Sequence, residues 1–139
     1  MLIGCAKMND LISLQHPLNV TNILRKRKSI KKRLLLKDNL IEKNIAILGG
    51  STTSEIKNIL ELFLLDKGIK PEFYESEYNK HFEDALFGNE ELDKFNPDIV
   101  YLHTTNKNII QFPKFNITSE DVEDLIDNEV NRYKSMWSS

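Results

Sequence analysis

One cysteine in 139 residues, Cys5, excludes an intrachain disulfide framework and any cysteine-built metal cluster. A reducing, cytoplasmic setting fits that scarcity. No apolar run approaches the roughly 20 residues that span a bilayer, and the opening Met1 to Lys7 has neither a basic n-region nor the length of a signal segment. No membrane partner is therefore expected. His, Asp and Glu nowhere fall at convincing metal-ligand spacing, so no metal or other cofactor is expected in this chain. A full Gly-x-Gly-x-x-Gly and a P-loop lysine are also missing, which counts against a standard nucleotide cradle. Only three histidines, His16, His81 and His103, could serve as general bases.

What is present is ordinary globular chemistry, 40% apolar and 29% charged, enough for one domain's core. The charge is unevenly placed. Residues 1–43 carry ten Lys/Arg against three Asp/Glu, whereas 44–139 carry nine against eighteen. Seven of the basic residues, Arg25, Lys26, Arg27, Lys28, Lys31, Lys32 and Arg33, form one run. A basic arm thus precedes an acidic body.

Periodicity divides the chain. Residues 1–18 show no clear period and form a loose lead-in ending at His16-Pro17, followed by one α/β domain over 19–139. Val20, Ile23, Leu24, Ile30, Leu34 and Leu35 give a helical stripe through the basic run, so a basic amphipathic helix is expected over about 20–36. The sheet core begins at 44. Ile45 to Leu48 is a continuous apolar run of the kind buried on both faces in a parallel sheet, and helical spacing follows over 54–67, stopped by Gly68. Residues 70–75 read as a short strand whose Pro71 suits an edge. Two short helices (78–87 and 89–95), a strong strand over 99–103, a brief extended piece over 108–112 and a final helix from Thr118 or Ser119 complete the series. That last helix carries Val122, Leu125, Ile126, Val130, Tyr133 and Trp137 on one face, as core or as an interface. The alternation predicts a three-layer, flavodoxin-like α/β fold with a parallel sheet and flanking helices.

In such sheets ligands bind beyond the carboxyl ends of the strands. Two loops answer that description: Gly49-Gly50-Ser51-Thr52-Thr53 after the first strong strand and His103-Thr104-Thr105-Asn106 after the second. Gly49 and Gly50 permit tight backbone approaches, and Thr52 with Glu55 has capping-box spacing. The following helix would then favour an oxyanion over Ser51. Ser51 as a nucleophile needs a base, for which His103 is best placed. The alternative is that Ser51, Thr52 and Thr53 cap and turn the chain, with Asn106 a turn residue. Glu72, Glu75, Glu77 and Asp84 read as a solvated acidic face.

Strand-Gly-Gly-Ser-Thr-Thr-helix with a later strand ending His-Thr-Thr-Asn resembles the core of SGNH (GDSL-type) hydrolases. In them a Ser ending the first strand is the nucleophile, and a Gly and an Asn in later loops complete the oxyanion hole. Here Gly50 replaces the usual Asp of Gly-Asp-Ser, and the partner Asp-x-x-His is absent. A longer likeness starts near residue 22. Leu-Arg-Lys-Arg-Lys-Ser-Ile-Lys, Ile-Ala-Ile-Leu-Gly-Gly-Ser-Thr-Thr-Ser-Glu-Ile, Gly-Ile-Lys-Pro-Glu-Phe-Tyr-Glu-Ser-Glu-Tyr, Pro-Asp-Ile-Val-Tyr-Leu-His-Thr-Thr-Asn and the closing Tyr-Lys-Ser-Met-Trp resemble the N-terminal region of FkbH-like proteins.

Members of that family join an SGNH-like region to a haloacid-dehalogenase (HAD) domain. The best understood take a glyceryl unit from 1,3-bisphosphoglycerate and load it on an acyl carrier protein. The resemblance implies an SGNH-like, incomplete domain with an acyl carrier protein and a HAD-type catalytic domain as partners. The HAD signature Asp-x-Asp-x-Thr is absent, and Asp124 with Asp127 is wrongly spaced for it. The expected function is accordingly docking or substrate positioning for acyl transfer. Alternatives are a small esterase or acyl transferase using Ser51 and His103, and a flavodoxin-like phosphate or nucleotide binder. The basic run would face the acidic carrier, since opposite potentials steer such encounters. Nucleic-acid binding is disfavoured, because the run lacks interleaved aromatics.

Overall fold

The computed structural model describes residues 14–139. Cys5 and most of the expected lead-in lie outside the described residues. The elements are α1 (Val20–Leu34), β1 (Ile41–Gly49), α2 (Ser54–Asp66), β2 (Ile69–Glu75), α3 (His81–Phe87), α4 (Glu90–Phe95), β3 (Ile99–His103), a 3-10 turn (Asn106–Asn108) and α5 (Ser119–Ser138). The strands form a three-stranded parallel sheet of order β2-β1-β3, in an α/β arrangement with flanking helices of the three-layer, flavodoxin-like kind. Among the described residues no helix is long and apolar enough to cross a membrane.

The chain divides into two compact units, one running to Lys43 and including Ser54–Glu72, the other made of Asn44–Thr53 and Phe73–Ser139. In the first, α1 starts where the Asn19 side chain accepts the Asn22 N–H, a standard cap. Its inward stripe of Ile23, Ile30 and Leu34 packs with Leu62 and Leu65 of α2 and with Leu14. Each such burial contributes about 1.5–3 kcal/mol. Gly68 takes a positive φ of 82° and turns the chain into β2. β1 begins at Ile41, three residues before the expected start of the sheet core at 44. The Ile41 N–H donates to Gly68 O, and Lys70 pairs with Glu42 at 2.8 Å, so pairing draws polar residues into the strand.

In the second unit β1 lies parallel to β3, with Ile45 opposite Ile99 and Gly49 opposite His103. Ala46, Leu48 and Leu92 form its core with Tyr74, Ala85 and Leu102 around them. Asn89 is the hub of the local fold. Its Oδ1 accepts the N–H groups of Glu91 and Leu92, capping α4, while its Nδ2 donates to Tyr74 Oη and Asp84 Oδ1. Asp84 is buried, so it does not belong to a solvated acidic face; the Asn89 amide satisfies its carboxylate. Glu75 likewise turns inward, accepting the Thr53 hydroxyl.

Thr118 and Asp121 form a reciprocal capping box at the start of α5. The Thr118 hydroxyl and amide hold the Asp121 carboxyl below its ordinary pKa. Beyond that start α5 is only half covered. Met136 is its one buried residue, while Ile126, Val130 and Trp137 are exposed. The expected extended piece over 108–112 is not a strand: the 3-10 turn ends at Asn108, and no regular structure follows until α5. Asn108 cannot extend because its side chain closes the turn onto Thr105.

Candidate functional site

β1 and β3 end side by side, and this register brings the two expected loops together. The Gly50 N–H donates to His103 O at 2.8 Å, continuing the ladder one step past Gly49. Asn108, a residue that sequence reasoning passed over, closes the rim. Its Nδ2 donates to Gly50 O at 2.8 Å and its Oδ1 accepts the Thr105 N–H at 2.8 Å, with the amide itself buried. One carboxamide thus spans both loops.

Neither Gly49 nor Gly50 has a positive φ; the reason for each glycine is space. A Cβ on Gly50 would lie 2.3 Å from Asn108 Nδ2 and 2.5 Å from its Cγ. A Cβ on Gly49 would lie 2.6 Å from Thr53 Cγ2. Real side chains do not tolerate such approaches.

The rim's polar groups are largely committed. Gly49 N–H donates to Ser76 Oγ at 3.1 Å and Gly50 N–H to His103 O, so neither amide is left to hold an oxyanion. Thr53 is buried and donates its hydroxyl to Glu75 Oε2 at 2.8 Å. Glu55 does not form the expected capping box with Thr52. Its carboxylate accepts Arg27 Nη1 at 2.8 Å instead, because a cationic partner outweighs a neutral amide. Thr105 accepts the Lys107 N–H, while Thr104 and the exposed Asn106 border an open apolar cleft of about 450 Å³ with Tyr133 and Trp137.

Ser51 is half-buried and Thr52 exposed. No hydrogen bond joins Ser51 to His103; the imidazole Nδ1 instead lies 3.4 Å from Tyr101 Oη. The geometry therefore assembles a rim of Ser51, His103 and Asn108 without a charge-relay pair. Among the described residues no group of three His, Cys, Asp or Glu side chains is arranged to hold a metal ion.

The basic residues of α1 separate into two sets. Arg27 and Lys31 are bound within their own unit, to Glu55 and to Glu61 at 2.7 Å, and Lys26 and Arg33 are engaged as well. Arg25, Lys28 and Lys32 are exposed and have no ion pair among the described residues. Their spacing of three and four places them on one outward stripe.

No protein-family model matches this chain, and no curated protein matches it either. Among solved structures it is similar to the N-terminal part of the protein BF1531 from Bacteroides fragilis, which contains a phosphatase domain and was solved complexed with Mg. The TM-score is 0.57 at 19% identity over 79% of this chain, a likeness of fold. This chain spans 29% of that chain's length.

Proposed function

We propose that this chain is an SGNH-like N-terminal region of an FkbH-like protein that docks an acyl carrier protein and positions substrate for glyceryl or acyl transfer. The observation that carries this reading is the fold likeness to the N-terminal part of a larger, phosphatase-containing protein, joined to the absence of Asp-x-Asp-x-Thr from this chain. Phosphoryl chemistry then belongs to a HAD-type domain elsewhere, in a cytoplasmic assembly. The exposed stripe of Arg25, Lys28 and Lys32 supplies the positive potential that an acidic carrier would meet, and the rim of Ser51, His103 and Asn108 supplies a polar edge for its cargo.

An amide-shift titration of this chain with a holo acyl carrier protein tests the docking. Saturable shifts are expected over 25–33 and around Ser51 and His103. Neutralising Arg25, Lys28 and Lys32 together should weaken binding about tenfold and flatten its salt dependence. Flat spectra at high carrier excess would reject the reading.

A separate expectation follows from the unpaired Ser51. A fluorophosphonate probe should leave it unlabelled, since a hydroxyl without a base attacks poorly. Labelling above background that disappears in Ser51→Ala would instead establish a nucleophile and favour the esterase alternative.

A further inference from the structure

We propose that a second cleft, lined by His81, Phe82, Lys107, Asn108 and Arg132, binds a small oxyanion, the phosphoryl or carboxylate group of a small molecule. Carrier docking is not a premise of this site. The cleft encloses about 340 Å³, with Asn79, Glu83 and Ile110 completing its wall.

Three observations converge on it. His81 is only 4% exposed, and neither ring nitrogen has a hydrogen-bond partner. Buried polar groups are ordinarily satisfied, so an imidazole left this way calls for an explanation. Lys107, at the mouth, has no carboxylate partner among the described residues. Arg132 is held in place by its neighbours: Nε and Nη2 donate to Glu129, Nη2 also donates to Asn108 O at 2.7 Å, and the guanidinium lies over the rings of Phe82 and Tyr133. The Lys107 ammonium and the unpartnered His81 imidazole therefore leave the cleft with donors in excess, and an acceptor-only ligand is the complement.

Charge explains the role of His81. Burial, then the positive Arg132, hold its pKa below the ordinary range, with Glu83 acting weakly in the other direction. Glu129 is already taken by Arg132. An oxyanion beside Lys107 and Arg132 would offset the cationic field and favour the imidazolium, so binding should draw a proton onto His81. The site also touches the rim described above, because Arg132 grips the backbone of Asn108, whose side chain holds Gly50.

The test is a heteronuclear titration of the full chain with inorganic phosphate and, separately, acetate, each against chloride at matched ionic strength. Saturable shifts are expected at residues 79–83, 107–110 and 132, with the His81 pKa rising in the bound state. Lys107→Glu, an exposed change, should weaken binding about tenfold. A response to phosphate alone assigns a phosphoryl ligand, and a response to acetate alone a carboxylate. Shifts no larger than those caused by chloride, or an affinity unchanged in Lys107→Glu, would overturn the site.

Discussion

Gly50→Ala should destabilise the unit containing β1 and β3 by roughly 2–4 kcal/mol, combining overpacking with the loss of a buried hydrogen bond. The new methyl would occupy the space of the Asn108 carboxamide, 2.3 Å from Nδ2, and could enter only by expelling it. Expulsion breaks the bond to Gly50 O and the bond from Thr105 N–H together, leaving both backbone groups without their partner at a closed rim. Urea denaturation should show the midpoint fall without a change in slope, and amide exchange at Thr105 should accelerate. Asn108→Ala opens the space and removes the same bonds, so the double mutant should cost clearly less than the two single losses added. Strict additivity would show that Asn108 is not what Gly50 makes room for.

Asn89→Ala carries the second large effect, again about 2–4 kcal/mol. Losing the cap on Glu91 and Leu92 costs about 1 kcal/mol, and leaving the buried Asp84 carboxylate without its donor costs a further 1–3 kcal/mol. Asn89→Asp separates the two contributions. It keeps an acceptor for the cap but brings a carboxylate to within hydrogen-bond distance of Asp84, so it should be at least as damaging as alanine. Thermal unfolding of the three proteins gives the comparison. If Asn89→Asp matched the parent protein, the Asp84 contact would carry no weight and only the cap would matter.

Local patterns in the chain foretold much of this fold and little of its satisfaction. The apolar run from Ile45 to Leu48, the stop at Gly68, the caps at Asn89 and Thr118 and the strand over 99–103 are signals within a few residues of where they act. Pro71 marked β2 as an edge for the same reason. The misses are mostly side-chain partnerships, some local, as for Asp84 with Asn89, and most of them long-range. Asn108 reads as the start of an extended piece until β1 and β3 are paired, when its amide arrives at a glycine 58 positions away. Thr52 and Glu55 have the spacing of one helix start, yet Glu55 pairs with Arg27, and the neighbouring Thr53 with Glu75, both far along the chain. The basic run showed its charge in sequence but not which of its cations pair, which depends on Glu55 and Glu61 of α2. His81 looked unremarkable because burial, not residue type, is what makes it unusual.

The sheet has two unlike borders. On one, Pro71 of β2 lacks the N–H that a neighbouring strand would require. On the other, β3 presents Ile99, Val100 and Tyr101 to solvent, with no charge or proline among its five residues. Natural sheets usually blunt such a margin. Among the described residues β3 is thus the border without a proline, and a lysine placed on it would blunt that margin.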